Sequence, residues 1–154
     1  MGWHITDVEE LEDAIIELKL KLARKIGINA GMTVVDLGCG QGGFTASLAL
    51  TVGKKGKVLA VDVSDEYLAE FMDRLNKHAV KDVVTFIQAD AVNLKNVLPN
   101  ESADVVASYR LLEELKQPKA MPMIVKEMAR IVKEGGKIGI IELCTEPKNE
   151  AKLT

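Results

Sequence analysis

The sequence has 154 residues, of which 47% are hydrophobic, and its formal net charge at pH 7 is -3. This length supplies one hydrophobic core and is short for two, so we expect a single domain over residues 1–154. The negative charge and the absence of long Lys or Arg runs argue against nucleic-acid binding, and the absence of a leader-like or spanning apolar stretch predicts a cytoplasmic protein without a membrane anchor.

The first predicted element is an amphipathic helix over residues 7–26, because apolar residues recur there at three- and four-residue steps between charged ones. Gly27 and Asn29 follow it as stop signals. We therefore divide the domain into an N-terminal helical segment (1–30), a core that carries the motifs (31–146) and a tail (147–154).

Strands and helices alternate along the core. The predicted strands are short, β-branched runs at residues 33–37, 57–63, 83–88, 103–108 and 137–143. The predicted helices cover residues 44–52, 65–79 and 122–132, with Ser64 capping the second and Gly135-Gly136 ending the third. Parallel neighbours need long crossovers, so this alternation predicts an α/β fold with a doubly wound, Rossmann-like, mostly parallel sheet of five strands and helices on both faces.

A glycine-rich turn lies between the first strand and the helix after it, with Gly38, Gly40, Gly42 and Gly43. Such a turn lets the backbone approach a ligand closely, because no Cβ intrudes. Three of these glycines also satisfy the GxGxxG pattern of dinucleotide-binding proteins, so the turn alone does not identify the ligand.

Three acids refine the prediction. Asp62 ends the second strand, where a carboxylate can accept hydrogen bonds from both hydroxyls of an adenosine ribose; the alternative is a capping role beside Ser64. Asp36 precedes the glycines, where it would repel a pyrophosphate but suit a ligand with ammonium and sulfonium groups. Asp90 follows the third strand and can accept from an adenine amine, or else cap the next turn.

The two cysteines, Cys39 and Cys144, are far apart and lack the spacing of metal ligands. We therefore expect neither a disulfide framework nor a metal site. Cys39 lies inside the glycine turn, where a small residue is needed, so we expect it to pack rather than to react.

These stretches resemble, in order and at the family spacing, the class I S-adenosylmethionine-dependent methyltransferases, and in particular their small-molecule branch that includes quinone-biosynthesis methyltransferases. The resemblance covers about residues 10–146. It is carried by VVDLGCGQG (34–42), VLAVDV (58–63), FIQADA (86–91), ADVVASY (103–109) and EGGKI (134–138). It implies strand order 3-2-1-4-5, S-adenosylmethionine as the cofactor and transfer of its methyl group to a small-molecule acceptor.

The resemblance also implies roles for individual residues. Asp62 should hold the ribose, Val63 should pack against adenine, and Asp90 and the Ala91 amide should contact its edge, while Ser108 should lie near the transferable methyl. The implied cofactor-binding set is Asp36, Gly38, Cys39, Gly40, Gly42, Asp62, Val63, Asp90, Ala91 and Ser108.

The acceptor side offers two candidate catalytic residues. Tyr109 can present an aromatic face to a cation or donate its hydroxyl, with a packed strand-end tyrosine as the alternative. Arg110 can grip an anionic acceptor, with a surface ion pair to Glu113 or Glu114 as the alternative. Further polar candidates are Glu113, Glu142, Trp3 and His4. No Asn-Pro-Pro-Tyr or Asp-Pro-Pro-Tyr follows the fourth strand, which argues against methylation of nucleic-acid amines.

The resemblance also implies a helix and an antiparallel strand pair after the fifth strand, whereas this sequence ends about ten residues after Cys144. Three explanations fit this ending: the chain is a minimal member of the family, it is a shortened chain, or its site is completed by another subunit. The fifth strand would be an open edge, which predicts a homodimer joined there; the alternative is a monomer whose tail or first helix covers the edge.

Three functions remain open. The first is an active small-molecule methyltransferase, and the second is an S-adenosylmethionine-binding module that needs a partner chain for activity. The third is a nicotinamide-dependent oxidoreductase, against which Asp36 and the segment around Asp90 argue.

Overall fold

In the computed structural model, residues 8–142 are described, with side chains from residue 14 onward. The helices in this part of the chain are α1 (Val8–Ile26), α2 (Gly43–Val52), α3 (Leu68–Lys77) and α4 (Ala120–Ile131). The strands are β1 (Thr33–Leu37), β2 (Lys57–Asp62), β3 (Val84–Gln88), β4 (Ala103–Tyr109) and β5 (Val132–Ile141). None of the helices described within residues 8–142 is both long and apolar enough to cross a membrane.

The strands form one sheet in the order β3-β2-β1-β4-β5, and every neighbouring pair is parallel. This confirms the doubly wound architecture and the strand order. In the register, Leu37 lies opposite both Val61 and Ser108, and Asp62 lies opposite Gln88. The carboxyl ends of the first four strands therefore meet at one edge of the sheet, where open α/β sheets bind their ligands.

The core is divided by the sheet into two layers, because successive side chains of a strand point to opposite faces. Val34 belongs to a cluster that includes residues of α1, α2 and α3. Val35 belongs to a second cluster, which includes residues of α4 and of the β3–β4 connection. Helices thus cover both faces, as predicted. Phe71 of α3 is fully buried and meets Phe86 of β3 edge-on, with ring centroids 5.5 Å apart. Burial of such a side chain contributes about 1.5–3 kcal/mol to stability.

The start of α3 differs from the sequence prediction. The helix begins at Leu68, and Tyr67 precedes it without a side-chain cap. The Ser64 hydroxyl instead accepts the backbone N–H of Glu66 at 3.1 Å. The prediction that Ser64 caps this helix was wrong because its side chain stabilises a local turn two residues ahead, a common alternative for serine.

The junction between α4 and β5 also differs. Gly135-Gly136 does not end the helix, because Val132 already pairs with Ala103 on β4. The next pair in register is Val105 with Lys137, so the intervening residues bulge out of the ladder. Gly136 suits this bulge, since a Cβ there would lie 2.6 Å from the carbonyl oxygen of Asp104. The predicted end of the strand at residue 143 lies outside the described residues.

Among the described residues, β5 is an edge strand with no partner beyond it. Its Ile138 and Ile140 side chains are 39% and 43% exposed. Helix α1 covers the opposite face of β5, where a Cβ on Gly139 would lie 2.7 Å from Ile26. The hydrogen-bonding edge itself stays open in this part of the chain, and residues 147–154, the predicted tail, lie outside it.

Candidate functional site

The glycine turn is fastened to the neighbouring strand. The backbone N–H groups of Gly38 and Cys39 both donate to the carbonyl oxygen of Val61, at 2.8 and 3.0 Å. Gly40 has φ +50°, a left-handed conformation that side-chain-bearing residues rarely adopt, and a Cβ there would meet no atom within 4 Å. The turn is therefore held rigidly while its tip leaves open space for a ligand.

Asp62 links the ends of β1 and β2. Its Oδ2 accepts the backbone N–H of Gly40 at 2.9 Å, and its Oδ1 accepts the N–H of Ser64 at 3.0 Å. An ionised carboxylate has about four lone-pair sites, so two remain for further donors. The geometry is thus compatible with both roles predicted for Asp62. It caps the local turn beside Ser64, and it still offers acceptors for the hydroxyls of a ribose.

Asp36 is a buried acid beneath the turn, with 1% of its surface exposed. The Thr45 hydroxyl of α2 donates to its Oδ2 at 2.6 Å, whereas Oδ1 has no hydrogen-bond partner among the described residues. Burial raises the pKa of Asp36 to about 6, against the opposing effect of the Thr45 hydrogen bond, and the charge of Asp62 raises it further. An unsatisfied buried acceptor is costly, so this oxygen is suited to a donor that a ligand brings.

A cavity of about 480 Å³ opens beyond the carboxyl ends of β1, β2 and β3. Five of the residues predicted to bind the cofactor line this cavity: Gly38, Asp62, Val63, Asp90 and Ala91. Val63 is 66% exposed and offers an apolar surface to this space. Asp90 caps the following turn, because its Oδ1 accepts the Val92 N–H at 3.1 Å, which leaves its second oxygen for another donor.

The opposite wall of this cavity was missed by the sequence analysis. It comes from α4 and from the segment before it, with Leu111, Leu115, Ala120, Met123 and Ile124. The spacing of Ala120, Met123 and Ile124 marks one helical face and was a usable signal. No comparable signal marks Leu111, whose side chain would lie 2.8 Å from a Cβ on Gly38.

Tyr109 and Arg110 lie at the end of β4 but do not line this cavity. The Tyr109 ring stacks on Phe44, with centroids 5.1 Å apart, and the Lys19 ammonium lies 5.3 Å above its centroid. Arg110 has φ +59° and donates from Nε to Glu113 at 2.6 Å. The structure therefore contains the surface ion pair that was the alternative for Arg110. It also packs Tyr109 against Phe44, as the alternative for that residue predicted, and Lys19 lies over the ring.

Other candidates have structural partners or are buried. Ser108 is fully buried, and its hydroxyl has no partner among the described residues. Cys39 is buried in the core, and burial raises the pKa of its thiol, which keeps it neutral. Glu142 accepts the backbone N–H groups of Leu112 and Glu113 at 3.0 and 3.1 Å, so it caps a short 3-10 helix. Two further candidates, Trp3 and His4, lie outside the described residues.

The chain is similar to several known proteins. A family described as a methyltransferase domain matches residues 28–154. The ubiquinone/menaquinone biosynthesis C-methyltransferase UbiE of Azotobacter vinelandii is 32% identical over 124 residues, which are 80% of this chain and 46% of that protein. UbiE of Salmonella arizonae is 32% identical over 117 residues, or 75% of this chain and 44% of that protein. The chain thus spans less than half the length of these relatives.

Among solved structures, a SAM-dependent methyltransferase from Aquifex aeolicus superimposes with a TM-score of 0.72 and 27% sequence identity. The match covers 97% of this chain and 78% of that chain.

Proposed function

This chain belongs to the class I S-adenosylmethionine-dependent methyltransferases of the UbiE-like branch, and from that premise we propose that it transfers a methyl group from S-adenosylmethionine to a small molecule. The observation that carries the proposal is the position of Asp62. Its carboxylate is tied to the glycine turn through Gly40, faces the cavity and retains free lone pairs. A carboxylate in this position matches the two hydroxyls of an adenosine ribose.

The other residues at this edge fit the remaining parts of the cofactor. The exposed Val63 side chain offers a surface for the adenine ring, and the free oxygen of Asp90 offers an acceptor for its amine. The unpaired Oδ1 of Asp36 suits an ammonium donor, directly or through water, and the open space at Gly40 allows close backbone approach. The nearby negative charges favour a ligand that carries a sulfonium and an ammonium group.

Bound S-adenosylmethionine would supply an electrophilic methyl group on its positively charged sulfur. When the acceptor takes this methyl group, the sulfonium becomes a neutral thioether. The residues of the chain contribute by holding the nucleoside at Asp62 and Asp90 and by limiting water at the apolar wall formed by Leu111 and Met123. Orientation and desolvation of this kind lower the barrier, and the proton that the acceptor loses passes to solvent, so the transfer needs no dedicated base. Tyr109 and Arg110 remain our candidates for contacts with the acceptor.

We propose an apolar acceptor because Leu111, Leu115 and Met123 line the wall that faces the nucleoside edge, where Lys116, Gln117 and Lys119 are the polar residues. The relatives named UbiE are C-methyltransferases of ubiquinone and menaquinone biosynthesis, which places quinone precursors among the first acceptors to test. A second candidate function is a cofactor-binding module completed by a partner chain, and the edge of β5, which is open among residues 8–142, supports it.

We further propose that two copies of the chain associate through β5. The support is the edge of β5, which has no neighbouring strand among residues 8–142, together with the exposed Ile138 and Ile140 side chains, since exposed apolar edge strands are normally covered. A two-fold axis at this edge would pair the same surface of each copy.

The deciding experiment is calorimetric titration of the full chain with S-adenosylmethionine and, separately, with NAD, followed by radiolabelled methyl transfer to quinone precursors, phenols and thiols. We expect the chain to bind S-adenosylmethionine but not NAD, and to transfer the labelled methyl group to an apolar acceptor. Binding of NAD without S-adenosylmethionine would overturn the proposal. If the chain binds S-adenosylmethionine but transfers methyl groups only after a partner chain is added, the cofactor-binding module is the correct function.

A further inference from the structure

A connection without regular secondary structure forms part of the candidate site. It joins β3 to β4 over residues 89–102, and it contains neither helix nor strand. Asp90 and Ala91, near its start, line the cavity, and Asp90 is our proposed acceptor for the adenine amine. Connections of this kind are uncommon inside a domain and often belong to binding sites. The position of Asp90 therefore depends on the contacts that hold the connection in place.

A buried ion pair on α4 fastens the middle of this connection. Glu127 is 6% exposed, and its Oε2 accepts the backbone N–H of Leu94 at 2.6 Å. The same carboxylate accepts two hydrogen bonds from Arg130, from Nε at 2.9 Å and from Nη2 at 3.0 Å. The bond from Arg130 lowers the pKa of Glu127 against the effect of burial, so the carboxylate is charged at neutral pH.

Arg130 extends the attachment to the second half of the connection. Its Nη1 donates to the carbonyl oxygen of Leu98 and to Oδ1 of Asn100, both at 2.9 Å. The side chains of Leu94 and Leu98 are buried, and the N–H of Leu98 donates to the carbonyl oxygen of Leu94 at 2.8 Å. One ion pair thus holds the connection at three of its residues.

The attachment lies close to both walls of the cavity. The carbonyl oxygen of Asp90 accepts the N–H of Asn93 at 3.0 Å, so a hydrogen-bonded turn leads from the cavity directly to Leu94. On α4, Glu127 lies one helical turn after Met123, which lines the opposite wall. The ion pair therefore joins the wall that carries Asp90 to the wall that α4 supplies.

Replacement of a buried ion pair by apolar side chains is often neutral for stability, so the distinctive contribution of the pair is the geometry that it imposes. We propose that Glu127 and Arg130 are positioning residues, which hold Asp90 where it recognises the adenine amine and thereby make the site selective for adenine over a base without that amine; this assignment rests on the proposed function. Neither side chain lines the cavity, so both act through the connection.

The test compares S-adenosylhomocysteine, the demethylated cofactor, with S-inosylhomocysteine, in which a carbonyl oxygen replaces the adenine amine. Calorimetry gives the ratio of the two dissociation constants for the wild-type full chain, Glu127→Gln and Arg130→Met. Asp104→Asn is the matched control. Asp104 also accepts a backbone N–H, from Thr33, and pairs with Lys133, but it lies at the start of β4, away from the ligand edge. Circular dichroism and thermal melting check that each variant is folded.

We expect the wild-type chain to prefer the adenine ligand by about tenfold or more, as for a hydrogen bond to a charged acceptor. Glu127→Gln and Arg130→Met should each lower this preference by about threefold or more, since hydrogen bonds weaken steeply with misalignment. Asp104→Asn should lower the melting temperature and keep the wild-type preference. In an Asp90→Ala background, Glu127→Gln should change the ratio no further, because Glu127 acts through Asp90.

An unaltered preference in both folded variants would overturn the positioning role and leave the proposed function standing. Equal affinity of the wild-type chain for the two ligands would overturn the roles of Glu127, Arg130 and Asp90 together, and a chain that binds neither ligand would overturn the proposed function as well. If neither variant folds, hydrogen exchange of the ligand-free wild type decides. Slow exchange of the Leu94 and Leu98 amides would support the proposal, and exchange as fast as in an unfolded chain would overturn it.

Discussion

The carboxylate of Asp62 accepts the backbone N–H of Gly40 at 2.9 Å, so the acid that ends β2 holds the turn that follows β1. The same carboxylate accepts the N–H of Ser64. One side chain therefore connects two strand ends at the ligand edge of the sheet. This arrangement means that its removal should affect both ligand affinity and local stability.

Asp62→Ala should weaken binding of S-adenosylmethionine and of its demethylated product about tenfold or more, because hydrogen bonds to a charged group contribute about 1.5–3 kcal/mol each. It should also lower the free energy of unfolding by about 1–3 kcal/mol, since two backbone donors lose their acceptor. Calorimetry and urea denaturation measure the two effects. Asp65→Ala, at an exposed acid nearby, is the control. Unchanged affinity in Asp62→Ala would contradict the ribose assignment.

Gly40→Ala should lose cofactor affinity by about tenfold or more while costing only about 1–2 kcal/mol of stability, the usual penalty for a side chain at positive φ. The structure offers a matched control in Gly31, which also has positive φ and free space at its Cβ position but lies at the opposite end of β1. Gly31→Ala should show a similar stability loss with normal affinity. Equal affinities in the two variants would show that the tip of the turn does not meet the ligand.

The raised pKa of Asp36 predicts a pH dependence of stability. A carboxyl group with a pKa of about 6 in the folded state and a lower one in the unfolded state binds its proton more tightly when folded. Stability should therefore fall as the pH rises from about 4 to 6, by at most about 3 kcal/mol from this group. Chemical denaturation of wild type and Asp36→Asn across this range should show the wild type losing stability relative to the variant.

Asp104 supplies a control for that experiment, because its pKa is lowered and its contribution to stability therefore changes with pH in the opposite direction. The Thr33 N–H, donated at 2.8 Å, is the main cause that lowers the pKa of Asp104, and Lys133 adds to it. Its stabilising effect is present above the unfolded pKa and is lost as the pH falls through the folded value. The stability difference between wild type and Asp104→Asn should accordingly shrink in acid. A parallel response of the two variants would contradict the assignment of the trend to Asp36.

The open edge of β5 predicts the oligomeric state. Sedimentation at micromolar concentration should give a dimer for the full chain, and Ile140→Lys should shift it toward monomer, because a charge in an apolar interface is costly to bury. Leu50→Lys, at a similarly exposed apolar residue on α2, should leave the dimer intact. A wild-type monomer with slowly exchanging β5 amides would contradict the dimer.

Much of the site was predictable because its signals are local in sequence. Each signal occupies only a few consecutive residues: the buried run of β1 with the glycines after it, the acid that ends β2 and the acid that follows β3. The parallel sheet then brings these strand ends to one edge. The sequence thus determined the fold class and, through family resemblance, the strand order. It also singled out Asp62, Val63, Asp90 and Ala91, which line one cavity in the structure, while their contacts with a nucleoside stay a prediction.

Only the tertiary structure decided which distant side chains meet at that edge. The contact of Leu111 with Gly38 depends on how helices and loops pack across many residues, and so does the hydrogen bond between Leu94 and Glu127. The bulge before Lys137 depends on the register of β5 against β4, which residue spacing within β5 does not specify. Periodicity reports which face of an element is buried, whereas packing of complete elements determines which residues of two such faces come into contact.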